Sequence, residues 1–245
     1  MKACLLIPIY NHRARIGDVL RSLAGAGLAG LVVDDGSDAE TRDTLTRLAA
    51  DLPWVGVERL PENRGRGAAL RHGYEWALRR GFSHAIQLDA DGQHDAGDVP
   101  RFLEAARRAP DALVLGAPVF DASAPWARRY GRRISTFWVR VETLSNAIGD
   151  PLCGYRCVPV AHAVRLLRRA PLGDRMEFDP ELVVRWWWAG LPVTHVPTRV
   201  RYFSDGLSHF HPLWDNFRIS RAHVRLFLGM LPRVPRLCRR PGGAR

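Results

Sequence analysis

Short β-branched runs alternate with helix-period stretches through the first half of the chain, and the runs end in polar or glycine-containing segments. Candidate strands at residues 3–9, 30–34, 55–60, 84–89 and 112–117 are separated by candidate helices at 16–26, 39–51, 65–80 and 99–109. Parallel strands need crossovers of that length, so the pattern predicts an α/β domain with a mostly parallel central sheet and flanking helices. The polar segments are Asn11, Asp34-Asp35-Gly36-Ser37, Asn63 to Gly67, and Asp89 to His94. Open α/β sheets bind ligands beyond the carboxyl ends of their strands. Four such segments on one edge predict a single site.

The second half is less regular. A basic amphipathic helix is expected over 126–148, a loop over 150–156, helices over 160–169 and 178–189, and a strand over 193–202. A final amphipathic helix over 213–231 sets Arg218, Arg221 and Arg225 beside an apolar stripe of Phe217, Val224, Phe227 and Leu231. The chain divides into a domain over 1–205 and a helical extension with a basic tail over 206–245. Trp186, Trp187 and Trp188 cannot all face one way on a helix, so at least one is expected to meet a partner, lipid or another chain.

The 245 residues, 47% apolar, suffice for one substantial core. No stretch approaches the roughly 20 apolar residues of a membrane span. Pro8 and Asn11-His12-Arg13 interrupt the first apolar run too early for a signal peptide, which with free thiols favours the cytosol. Cys153 and Cys157 have zinc-like spacing but no second Cys or His pair. The net charge of +11 implies anionic partners. It is clustered at Arg128, Arg129, Arg132 and Arg133 and in the tail at Arg233, Arg236, Arg239, Arg240 and Arg245. Nucleic acid is suggested only by charge and is not expected as a partner.

Asp89-Ala90-Asp91-Gly92-Gln93-His94 closes an apolar strand. Two carboxylates one residue apart, followed by an amide, suit a hard divalent ion such as Mg²⁺ or Mn²⁺, which would neutralise a diphosphate leaving group. The same residues also describe an acidic turn before a helix. Asp34-Asp35-Gly36-Ser37 offers carboxylates to a base or ribose, or is simply an Asp–Gly turn. Asn63 to Ala69 imitates a dinucleotide fingerprint, but Leu70 stands where the third glycine or alanine belongs. A basic loop near a diphosphate remains, with Arg66 as a phosphate contact.

Taken in order, Ile7 to Asn11, Asp34 to Ser37, Asn63 to Ala68 and Asp89 to His94 resemble the family 2 glycosyltransferases, especially the dolichyl- and polyprenyl-phosphate sugar synthases. The resemblance is close over residues 3–118 and looser to about 205. It implies a GT-A-type nucleotide-sugar-binding fold and a donor pocket drawing on Pro8, Tyr10, Asn11, Asp35, Gly36, Arg66, Asp89 and Ala90. It further implies a metal at Asp89, Asp91 and Gln93, with Asp89, Asp91 and Asp150 as catalytic candidates. The acceptor side corresponds to Arg129, Arg132, Arg133, Ser135 and Arg156, and Phe178-Asp179-Pro180-Glu181-Leu182 is similar to that branch's Phe-x-x-Glu-Leu helix start.

The expected activity is therefore inverting transfer of a sugar from a UDP- or GDP-linked donor to a lipid-linked acceptor, with a polyprenyl phosphate first and a hydroxyl second. A hydroxyl needs a general base, for which Asp150, Asp179 and Glu181 are the nearest candidates, whereas a phosphate monoester is already largely ionised. The bland reading of the Arg cluster is a solvated helix face. His209 and His211 could reach the acceptor or be structural. The expected place of work is the inner face of the cytoplasmic membrane, as a peripheral protein on its anionic surface, in cell-envelope assembly. A sugar-1-phosphate nucleotidyltransferase would need a Gly-rich phosphate loop directly after the first strand, and Pro8-Ile9-Tyr10-Asn11 lacks it. A catalytically silent nucleotide-binding relative is opposed by the intact carboxylates.

Overall fold

The computed structural model of the chain describes residues 1–120, 126–170, 172–201 and 212–240. Seven strands form one sheet in the order β3-β2-β1-β4-β6-β5-β7. They are β1 (Ala3–Ile9), β2 (Ala29–Asp34), β3 (Val55–Arg59), β4 (His84–Gln87), β5 (Leu113–Phe120), β6 (Arg156–Pro159) and β7 (Val193–Val200). All neighbours pair in parallel except β6, which runs against both β4 and β5. The sequence reading placed six of these strands and treated the start of β6 as loop. Four residues opening on Arg156 and closing on Pro159 carry too little pattern to announce a strand.

Helices cover both faces of the sheet. Every residue of β1 is buried, as expected of a strand packed on two sides. Its pleat sends Cys4 and Leu6 into one core and Leu5, Ile7 and Ile9 into the other. The second core lies under α1 (Arg13–Leu23), α2 (Ala39–Asp51) and α4 (Val99–Arg108). On α1 the buried residues are Ile16, Val19, Leu20 and Leu23, one helical stripe. Asp38 caps α2 by accepting from the Thr41 N–H at 2.8 Å, satisfying an otherwise orphaned donor.

The first core is larger and includes α3 (Arg66–Arg79), α6 (Val160–Arg169), α7 (Phe178–Trp188) and residues of α8 (Pro212–Met230). Only Arg185 of α7 is not buried. That overturns the expectation that one of three consecutive tryptophans meets an outside partner. Trp186, Trp187 and Trp188 are all buried, and their indole N–H groups donate to the carbonyls of Pro192, Thr143 and Glu142 at 2.9, 3.1 and 2.8 Å. A helix enclosed on every side has inward directions for all three. The basic helix α5 (Trp126–Thr143) packs on α7 and α8 and ends five residues before the expected boundary at 148. A short helix α9 (Val234–Cys238) follows α8. Among the described residues no helix is long and apolar enough to cross a membrane.

Candidate functional site

The strand order reverses direction at β1, whose neighbours are β2 on one side and β4 on the other. Open α/β sheets bind ligands at such switch points, and the predicted segments converge at the carboxyl edge here. Asn11 follows β1 with φ 53°. Its N–H donates to Ser37 Oγ at 3.0 Å, and its Oδ1 accepts from the Asp38 N–H at 2.8 Å. Pro8 is buried within β1 and Tyr10 is half-buried at its end.

Asp34 and Asp35 divide their work. Asp34 accepts from the Ser37 N–H at 2.9 Å and pairs with Arg59, which also donates to Ser37 O at 2.7 Å, so it braces the turn. Asp35 accepts from the N–H groups of Arg64 and Gly65 at 2.9 and 2.8 Å, tying the loop before α3 to the end of β2. Burial raises the Asp35 carboxyl above its ordinary value, against the lowering effect of those two amides. Gly36, at φ 69°, passes so close to the Glu62–Asn63 backbone that an added Cβ would lie 2.4 Å from Glu62 C.

Beyond β4 lies a chain of alternating charges. Arg66, at the start of α3, donates Nη2 to Asp89 Oδ1 at 2.5 Å and Nη1 to Asp179 Oδ2 at 2.6 Å. Asp179 Oδ1 is 2.8 Å from Arg156 Nη1. Arg156 has no exposed surface, and its Nε and Nη2 donate to the carbonyls of Cys153 and Pro151 at 2.9 and 2.7 Å. It was expected to touch an acceptor. Instead its guanidinium is turned inward, where it orders the loop before β6 and anchors Asp179.

His94 completes the surround of Asp89, with Nε2 3.6 Å from Oδ2 and its ring tilted against Tyr155 at 5.2 Å. Burial would raise the Asp89 carboxyl, but Arg66 and then His94 outweigh it and hold the group far below the usual carboxylate range. Asp91 shifts the other way, raised first by burial and then by the negative charge of Asp89. Its Oδ1 accepts from the Gln93 N–H at 3.0 Å, while Ala90 between the two aspartates is buried. Gly154 lies directly behind Asp89. An added Cβ would be 2.0 Å from Asp89 Oδ2, so any larger residue here must displace the Asp89 carboxylate or the loop.

Among the residues expected to meet an acceptor, Arg132 Nη1 donates to Asp150 Oδ2 at 2.7 Å, and the Leu152 N–H donates to Oδ1 at 2.8 Å. Arg133 is exposed and Ser135 is buried on the inner side of α5. The side chain of Arg129, and His209 and His211, lie outside the described residues. The other late carboxylate, Glu181, has no exposed surface and accepts from the Gly173 N–H at 2.6 Å and from Arg225 Nη2 at 2.8 Å.

By resemblance Asp150-x-x-x-Gly154-x-Arg156 was expected to be an acceptor-side loop, with no expectation that Gly154 would lie against Asp89 or that His94 would be a partner of Asp89. The pairing of Arg66 with Asp179 spans 113 residues and has no local signal. The motif Asp89 to His94 did contain the histidine, and its place two residues before the η turn at Ala96–Asp98 is the nearest hint.

Comparison with known proteins bears on this arrangement. Among solved structures, a glucosyl-3-phosphoglycerate synthase from Mycobacterium tuberculosis, bound to Mn²⁺ and UDP-glucose, superposes with a TM-score of 0.69 at 16% identity. The match covers 94% of this chain and 78% of that one. A mannosyltransferase from Pyrobaculum calidifontis, bound to GDP-mannose and Mn²⁺, gives 0.62 at 17% identity, over 94% and 64%. At such identities the likeness establishes the GT-A-type fold. A polyprenol monophosphomannose synthase of Mycolicibacterium smegmatis is 32% identical over 164 residues, 63% of this chain and 60% of the relative. An undecaprenyl-phosphate mannosyltransferase of Micrococcus luteus is 37% identical over 119 residues, 48% of each chain. The chain thus matches about half to three-fifths of the length of these relatives. The sequence profile of glycosyl transferase family 2 matches residues 4–175, which takes in every strand-end segment of the crevice from Asn11 to Arg156. With fold, motif order and profile in agreement, the chain belongs to glycosyl transferase family 2.

Proposed function

We propose that this chain is an inverting glycosyltransferase that moves a sugar from a UDP- or GDP-linked donor to a membrane lipid phosphate of the polyprenyl type. The observation that carries the acceptor class is the state of the late carboxylates. Asp150 is held by Arg132, Asp179 by Arg66 and Arg156, and Glu181 by Arg225. A general base must be reached by the acceptor hydroxyl, and these three carboxylates are buried as well as ion-paired with arginines. A phosphate monoester, with a second pKa of about 6, needs no base near neutrality. The named activities of the two curated relatives agree with that chemistry.

The donor side fits a divalent ion. Among the described residues no three His, Cys, Asp or Glu side chains form a protein cage. Mg²⁺ and its analogues in phosphate sites are commonly held by one or two carboxylates and completed by the substrate's own phosphates. Asp89 already faces the Arg66 guanidinium and the His94 ring, and Asp91 stands beside it, partly exposed. Asp89 and Asp91, with Gln93, would hold Mn²⁺ or Mg²⁺, which supplies charge neutralisation to the departing diphosphate.

The remaining roles fall to this chain's own groups. Pro8, Tyr10 and Asn11 border the nucleotide, and Asp35 fixes the loop at 63–66 against which the nucleotide lies. Arg66 is within reach of the diphosphate once it releases Asp89. Arg132 and Arg133, with Arg129, receive the acceptor phosphate, and Asp150 sets the orientation of Arg132. A phosphate oxygen attacks the anomeric carbon opposite the nucleotide, the new C–O bond forms as the old one breaks, and nucleoside diphosphate leaves. Inversion follows from that single displacement.

Turnover of UDP- and GDP-sugars with a short polyprenyl phosphate and Mn²⁺ tests the proposal, with chelator and Asp91→Ala as controls. Metal-dependent formation of a phosphate-linked lipid sugar that is lost in Asp91→Ala is the expected result. Equal product from a polyprenol lacking phosphate would refute the acceptor class.

A further inference from the structure

Helices α5 and α8 lie side by side and leave an unusual amount of apolar surface outside the core. On α5 the exposed large apolar residues are Tyr130, Ile134, Phe137 and Trp138, successive positions of one helical face. On α8 Trp214, Phe217, Val224, Leu228 and Leu231, which follows its last turn, continue another. Tyr130, Trp214 and Phe217 are 62%, 68% and 61% exposed, so the faces are open rather than half-packed. They meet where the Trp138 ring contacts the edge of Phe227 at 6.4 Å. The result is one apolar strip across two helices, larger than scattered exposed side chains would give.

The charge on the same surface decides what covers it. Helices α5 and α8 contain only two acidic residues, Glu142 and Asp215, and both are buried. The exposed charges are arginines: Arg133 and Arg140 on α5, Arg221 and Arg225 on α8. Arg221 sits within the apolar stripe, between Phe217 and Val224 on the helical face. Aromatic and aliphatic residues interleaved with arginine, without exposed acid, match the boundary of an anionic bilayer, where apolar groups enter the acyl region and arginines reach the headgroups. A second copy of the chain fits poorly, because a two-fold contact would set arginines against arginines.

We infer that the exposed faces of α5 and α8 together form a docking surface for an anionic lipid bilayer. The inference deepens the proposed function and rests on it for the choice of a membrane-borne acceptor. Helix α5 carries part of this strip and also Arg132, the partner of Asp150, so docking would bring the acceptor-side arginines to the headgroup level.

Sedimentation of the full chain with vesicles tests it, comparing phosphatidylcholine alone with mixtures containing phosphatidylglycerol. The expected result is binding to the anionic vesicles, weakened by salt, and little to the neutral ones. Phe137→Ser/Phe217→Ser/Leu228→Ser should abolish binding while keeping the wild-type melting temperature and the thermal shift on adding nucleotide sugar with Mn²⁺. Arg140→Glu/Arg221→Glu should weaken binding by at least about 25-fold, from about fivefold per arginine near an anionic surface. Failure of wild type to sediment, or unchanged binding by the triple Ser variant, overturns the docking surface. So does a wild-type dimer that those substitutions dissolve while no vesicle binding is seen. The nucleotide-sugar shift reports the transferase reading separately, so either can fail with the other intact.

Discussion

Replacing Gly154 by alanine tests whether the position of Asp89 governs turnover. The added Cβ would stand 2.0 Å from Asp89 Oδ2, 2.6 Å from Cγ and 2.8 Å from Oδ1. Ordinary contact begins near 3.4 Å, so the carboxylate or the loop must retreat by about 1 Å or more. Asp89 has little freedom to do so, because Arg66 and His94 hold it from the other side. Overpacking of this kind costs about 1–3 kcal/mol, a fall in Tm of roughly 2–12 °C for a chain of this size. Misplacement of a positioned group by about 1 Å can lower turnover about 100-fold. Steady-state kinetics at saturating donor, beside a thermal melt, should therefore show a folded protein with kcat reduced by about two orders of magnitude. In an Asp89→Ala background the same substitution should cost much less stability, since the carboxylate it strikes is gone. Gly154→Ala with kcat within threefold of wild type would refute the reasoning, as would an equal loss of stability in both backgrounds.

Arg66→Gln should destabilise the fold by about 3 kcal/mol in urea titration, because it removes the arginine from Asp89, 28% exposed, and one of the two arginines from Asp179, 7% exposed. The folded Asp89 carboxyl lies far below its unfolded value, so its contribution is complete above about pH 4 and fades as pH falls below it. The gap between wild type and Arg66→Gln should narrow over the same acid range. A gap that widened on acidification would contradict the pairing. Trp186→Ala should cost about 3–5 kcal/mol by calorimetry or urea, since its ring is fully buried and its N–H is bonded to Pro192 O. Arg133→Ala should raise the KM for lipid phosphate about tenfold and leave the KM for donor unchanged, as expected for loss of one charge-assisted contact. An unchanged acceptor KM would remove Arg133 from the acceptor side.

What the sequence determined by itself was the part of the molecule built from local patterns. Continuous apolar runs such as Ala3 to Ile9, separated by helix-length crossovers, allow little other than a parallel sheet covered on both faces. Once that sheet exists, Asn11, Asp35, Arg66 and Asp89 must share its carboxyl edge, because each lies just past a strand. Family membership was legible for the same reason, since the four segments sit at characteristic spacing along one chain. What only the tertiary structure decided depends on residues far apart in sequence. Strand β6 is four residues long and exists because β4 and β5 offer it two antiparallel edges. The inward commitment of Arg156 and the bonding of Arg66 to Asp179 across 113 residues follow from the packing of α3 on α7. The packing of α5, α6 and α8 around α7 encloses all three tryptophans, against the local expectation, and leaves open the outer apolar faces of α5 and α8. Periodicity reports which side of a helix is apolar. Only the assembled neighbours decide whether that side is covered.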